Sequence, residues 1–94
     1  MPDAGFDWDP EKAISNFATH GVSFDEAITV FGDPLATTKP DADHSSDEER
    51  RLTMGLPLQQ RLILIWHTDC GDSVRLIGAR PATPSERRAY ESGE

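Results

Sequence analysis

Cysteine occurs once in these 94 residues, as Cys70. A lone thiol excludes an internal disulfide, and without a second cysteine neither a cysteine-rich structural zinc site nor a CxxC redox pair can form. Long hydrophobic runs are also missing. The longest strongly apolar stretch is Leu62 to Trp66, whereas a membrane-spanning helix needs roughly 20 such residues. The opening MPDAGFDWDP has neither a basic n-region nor an apolar h-region, so no secretory signal or anchor is expected and the cytoplasm is the expected compartment. Basic residues are scarce in the first half: residues 1–49 hold only Lys12 and Lys39 against twelve acids, while all seven arginines lie beyond, beside five acids. The net charge of −8 and pI near 4.7 argue against a nonspecific nucleic-acid binder, which usually has a basic pI. The segregated arginines still leave room for a local basic face.

What remains is a polar chain with 36% hydrophobic residues, a mean hydropathy of −0.54, and only seven glycines and seven prolines. That composition suits a folded domain with a modest core rather than a disordered segment. The length leads us to expect a single domain over residues 1–94, small enough that a bound partner contributes to the working state.

Phe6-Asp7-Trp8 reads as a short strand stopped by Asp9-Pro10, an N-cap followed by proline at the first helical position. The helix that follows runs to about His20, with Ala13, Ile14 and Phe17 at helical spacing and Gly21 as its left-handed stop. Ser23 and Glu26 have the spacing of a capping box. They open a second helix with Ala27, Ile28, Val30 and Phe31 on its apolar side, ended by Gly32-Asp33-Pro34. Strand-like pieces follow at Leu35 to Thr38, Arg51 to Gly55, Arg61 to His67 and Ser73 to Ala79. Short connectors favour antiparallel hairpins among the last three. Thr83-Pro84-Ser85-Glu86 repeats the capping-box spacing and opens a C-terminal helix through Tyr90. The order β-α-α-β-β-β-β-α predicts an α+β fold: two N-terminal helices packed on a twisted antiparallel sheet of about four strands, with a short C-terminal helix.

Asp41, Asp43 and Asp47 superficially fit a calcium loop. Ser46 stands where the turn wants glycine and Leu52 where a bidentate glutamate is needed, so no metal or other cofactor is expected. His20, His67, Glu49 and the arginines are the residue types that metal-independent RNA cleavage uses: a base, an acid and fixed guanidinium donors for phosphate charge. Each also has a plainer reading. His67 suits a half-buried strand end, and His20 is explained by the helix dipole. Arg75 and Arg80 are five residues apart and would face opposite sides of a regular strand. Arg87 and Arg88 read as exposed helix charges. Trp8 and Trp66 suit core or edge packing, though either could stack on a base.

Phe6-Asp7-Trp8-Asp9-Pro10 with Lys12-Ala13 and Asn16, His20-Gly21-Val22-Ser23-Phe24 with Glu26-Ala27, and Val30-Phe31-Gly32-Asp33-Pro34 together resemble the opening of BrnT-family toxins. Glu48-Glu49-Arg50, His67-Thr68, Gly71-Asp72 and the run Arg75 to Thr83 followed by Glu86-Arg87-Arg88 are similar to the family's closing signature. The resemblance spans residues 6 to 90. It implies a RelE-like ribonuclease toxin of a type II toxin-antitoxin pair that cleaves mRNA and inhibits translation. The implied partner is a BrnA-like ribbon-helix-helix antitoxin, with DNA met only through that antitoxin and no membrane involved. On this reading Arg75 and Arg80 stabilise phosphate charge, Glu49 or His67 acts as base or acid, and Lys12, Arg50, Arg51, Arg87 and Arg88 hold the RNA backbone. Thr19 stands where the family often has lysine, and Cys70 sits in a turn that is often basic. At these two positions RNA contacts of the family are missing, and the acidic first half motivates an alternative to the leading ribonuclease reading: a catalytically weak or inactive binding module that holds an antitoxin and modulates its operator binding.

Overall fold

The computed structural model describes residues 5–41, 50–56 and 61–93. Glu49 and most of the acidic stretch that resembles a calcium loop lie outside these residues. Asp9 caps the first helix, its Oδ1 accepting from Glu11 N at 2.9 Å, and Pro10 begins α1 (Pro10–His20). Gly21 ends α1 at φ 71°, a conformation open to glycine because it lacks a Cβ. Ser23 caps α2 (Phe24–Ile28), but Glu26 does not complete a capping box: its carboxylate is taken by Arg61 at 2.7 and 2.8 Å. The same guanidinium donates to Gly21 O at 2.7 Å, so Arg61 ties the end of α1 to α2.

The second helix is shorter than its sequence suggests. It gives way to a 3-10 turn over Thr29–Gly32, where the β-branched run Ile28-Thr29-Val30 loses side-chain freedom in an α-helix. Thr29 Oγ1 also bonds back to Glu26 O at 2.7 Å.

Among the described residues five strands form one sheet: β1 (Phe6–Asp7), β2 (Thr37–Pro40), β3 (Arg50–Gly55), β4 (Ile63–Cys70) and β5 (Ser73–Pro81), in the spatial order β1-β5-β4-β3-β2. The expectation of about four antiparallel strands is corrected on two counts: β1 joins the sheet, and it runs parallel to β5. Two residues carry too little pattern to reveal their pairing. β4 and β5 form a hairpin through Gly71-Asp72, with Gly71 at φ 60°.

The sheet has two covered faces. On the first, Ile63, Ile65, Leu76 and Ala79 pack against Val22, Phe24, Ala27 and Val30 from the helical layer, with Trp8 closing the end. On the second, Met54, Leu62 and Leu64 form a smaller cluster with Leu52, Ala82 and Tyr90. Tyr90 belongs to α3 (Pro84–Ser92) and donates from its hydroxyl to Asp33 Oδ2 at 2.6 Å. That bond pushes the phenol up to about 12 and lowers the Asp33 carboxyl, which also accepts from the amides of Leu56 and Leu35.

The apolar stripe read on α1 divides. Ala13 packs inward, while Ile14 and Phe17 are 72% and 58% exposed. The buried contact of α1 is made by Asn16, whose Nδ2 donates to Val22 O and Ala79 O, both at 2.9 Å, and whose Oδ1 accepts from Ala79 N at 3.0 Å. Asn16 thus pairs like a strand with the part of β5 that β1 is too short to reach, setting α1 against that edge. Among the described residues, no helix is long and apolar enough to cross a membrane.

Candidate functional site

One residue in β5 decides where the arginines point. Pairing with β4 runs His67 with Leu76 but Trp66 with Gly78, leaving Ile77 as an extra residue. A bulge of this kind shifts the alternation by one. Arg75 lies opposite Thr68 and Arg80 opposite Leu64, and Thr68 and Leu64 are on the same side of β4. Both arginines therefore face the second side of the sheet, where regular alternation had put them on opposite sides.

Arg50 joins them, since it pairs with Thr68 from the other neighbour, β3. The second face thus carries three successive cross-strand rows. Arg50, Thr68, Arg75 and Asp7 form one; Leu52, Trp66 and Gly78 the next; Met54, Leu64 and Arg80 the third. At about 3.3 Å per residue, each arginine-bearing row stands roughly 7 Å from the tryptophan row. Between them a cavity of about 370 Å³ is lined by Asp41, Arg50, Leu52, Leu64, Trp66, Arg80 and Glu86, within the size range of about 300–1,000 Å³ seen for small-molecule sites.

Carboxylates accompany these cations. Glu86 holds Arg80 through two parallel bonds of 2.9 Å, which raises the guanidinium's affinity for its proton and lowers the Glu86 carboxyl. Glu86 Oε1 also accepts from Thr83 N at 2.8 Å, completing the capping box of α3. Arg75 pairs with Asp7 across the β1–β5 register. The face is therefore a set of paired charges rather than a uniformly positive surface, and an incoming phosphate would compete with carboxylates for guanidinium forks whose geometry suits both.

His67 lies on the other side. It is 3% exposed beneath the helical layer, with the Phe31 ring edge-on at 5.2 Å. Its Nε2 is 2.8 Å from Thr53 Oγ1, which is 2.7 Å from Thr38 Oγ1. Nδ1 is 3.3 Å from Asp69 Oδ1. Burial lowers the His67 pKa below its ordinary 6.5 and Arg51 adds to this, while Asp69 opposes it. Arg51 shares this face and pairs with Asp69 at 3.3 Å. Sheet geometry thus separates His67 and Arg51 from Arg50, Arg75 and Arg80. Lys12 is exposed on α1, and Arg87 and Arg88 are exposed on α3.

A pH effect follows from the burial of His67. Because its folded pKa is depressed, the unfolded chain takes up the proton first as pH falls through about 6.5. Its contribution to stability is complete above that pH and is lost progressively below it. Asp33 and Glu86, whose carboxyls are lowered, lose theirs only further down, below their ordinary values of 3.8 and 4.5. Urea unfolding should show stability declining from pH 7 to pH 5, with a visibly smaller decline in His67→Gln. Equal slopes for the two proteins would contradict this account.

Sequence reasoning missed Glu86 as the partner of Arg80, although its spacing to Thr83 had marked it as a helix-capping residue. It also placed His20 by the dipole alone. The His20 ring stands edge-on to Trp66, with centroids 6.1 Å apart and planes at 84°. One turn beyond Asn16, it meets the tryptophan of the arginine-bearing face.

Comparison with curated protein sequences gives no match. Among solved structures, the 1.1 Å crystal structure of the Brucella abortus ribonuclease toxin BrnT is similar, with a TM-score of 0.65 and 22% identity over 83% of this chain and 95% of that one. At that identity the likeness speaks for the fold. The family described as the ribonuclease toxin BrnT of type II toxin-antitoxin systems matches residues 8–86, and over that span the chain belongs to the BrnT family of ribonuclease toxins.

Proposed function

We propose that this chain is the toxin of a type II pair, acting as a single cytoplasmic domain that cleaves mRNA without a metal and so inhibits translation. The observation that carries the reading is the gathering of Arg50, Arg75 and Arg80 on one face around Trp66. Arg80 and Arg75 stabilise charge on the scissile phosphate as the 2′-hydroxyl gives its proton to a base and attacks phosphorus, the bond to the 5′-oxygen breaking as that oxygen takes up a proton and a 2′,3′-cyclic phosphate remains, and Arg50 positions the backbone. Arg87, Arg88 and Lys12 extend the contact with RNA, while Arg51, paired with Asp69 on the opposite face, lies outside this contact. The proton-transfer role falls first to Glu49, which immediately precedes Arg50. His67 is the second candidate, and using it would require a path past the sheet.

The partner proposed is a BrnA-like ribbon-helix-helix antitoxin, through which alone the toxin meets DNA. A groove of about 410 Å³ between α1 and α2, lined by Ile14, Phe17 and Phe24 and bearing Asp25, suits an apolar antitoxin segment with basic flanks. Asp9 and Glu11 add negative charge beside it.

The decisive test is incubation of the purified protein with RNA in EDTA. Cleavage by the wild type that Arg80→Ala reduces supports the reading; no cleavage, or equal cleavage by both, counts against it. The pairing of Arg75 with Asp7 and Arg80 with Glu86 favours a second reading, a toxin-like module that chiefly holds the antitoxin. Expression without the partner separates the two, since growth arrest supports the nuclease and harmless overexpression the module.

A further inference from the structure

We propose that Trp66 is a nucleobase platform, the subsite at which a base of single-stranded RNA stacks while flanking phosphates meet the arginine rows. This deepens the ribonuclease reading and rests on it. Trp66 and Trp8 differ in ways the sequence does not reveal. Trp8 is 7% exposed and belongs to the main core, whereas Trp66 is half-buried and neither apolar cluster includes it.

The indole of Trp66 is fixed on one side by backbone. A Cβ placed on Gly78 would lie 2.3 Å from its Cζ2 and 2.4 Å from its Cε2, so the ring can occupy this position only because residue 78 has no side chain. His20 braces it edge-on. The ring lines the cavity between Arg50 and Arg80. An aromatic side chain held on one side and open to a cavity flanked by guanidinium groups is the arrangement by which single-stranded nucleic acid is bound without demanding a particular sequence. Cations track the phosphates, and every base has a face to stack.

The probe is an uncleavable 2′-O-methyl oligoribonucleotide, titrated into each protein by fluorescence anisotropy and compared with the same oligomer carrying abasic positions. Trp66→Leu, which keeps apolar bulk but loses the π face, should weaken binding of the normal oligomer by about 10- to 100-fold. It should barely change binding of the abasic one. Trp66→Phe should recover most of the affinity, and Gly78→Ala, which forces the indole from its seat, should behave like Trp66→Leu. Circular dichroism establishes that each variant is folded. Should Gly78→Ala fail to fold, the Leu and Phe variants still decide the matter.

Folded Trp66→Leu binding as tightly as the wild type, losing equally on both oligomers, or a wild type that binds neither, would overturn the platform. A wild type whose binding depends on Trp66 but which does not cut RNA would sustain the platform while removing the nuclease reading.

Discussion

Arg80→Ala is expected to lower RNA cleavage by about two to three orders of magnitude, the usual consequence of removing one preorganised donor from a site that stabilises developing negative charge. The effect should appear in kcat more than in KM, because the fork matters most when charge on the phosphate is greatest. Lysine at this position keeps the charge but loses the planar pair of donors that Glu86 now occupies at 2.9 Å, and it should restore only part of the rate. Glu86→Gln weakens the competing partner and should tighten RNA binding. Stability should change little on losing the ion pair, since both side chains are close to a third exposed. Single-turnover cleavage assays paired with thermal unfolding measure both quantities. An Arg80→Ala variant that is folded and fully active would remove Arg80 from the proposed site.

The second large effect concerns the fold. Asn16→Leu should destabilise the protein by about 3 kcal/mol, because it leaves the buried amide and carbonyl of Ala79 and the carbonyl of Val22 without the partner that now serves all three. For a domain whose total stability is about 5–15 kcal/mol, this is a large fraction. It corresponds to a fall in melting temperature of roughly 12–24 °C. Urea denaturation of the two proteins gives the difference directly, and a change below about 1 kcal/mol would show that α1 is held to β5 by its apolar contacts instead.

Much of the local architecture was legible in the sequence because it is written in short-range chemistry. Asp9-Pro10, Ser23, Thr83 with Glu86, and Gly21 act within one turn of chain, and each sits where its spacing placed it. What escaped was set by distant partners. Asn16 looks like an ordinary polar helix residue until Ala79, 63 positions away, turns out to need it. Glu26 has capping-box spacing, yet Arg61 draws its carboxylate elsewhere.

The candidate site followed the same rule. Arg75 and Arg80 read as chemistry-bearing residues on opposite sides of a regular strand, because nothing local says which residue of β5 is the extra one. His67 and Arg50 lie near each other in the β3–β4 ladder, but alternation along each strand sends them through opposite faces. Glycine at 78 offered a hint, since a glycine within a strand often marks a bulge or a close approach. Here it serves the second purpose, as the seat of Trp66.

The two oxygens of Glu86 divide their labour unequally: Oε1 serves both the Thr83 amide and Arg80, whereas Oε2 serves Arg80. An anion that took the guanidinium would leave the amide bond of Oε1 in place. Displacing this internal counterion would leave the first turn of the last helix wound, so an anion at this arginine would carry no obligatory unravelling of its neighbour.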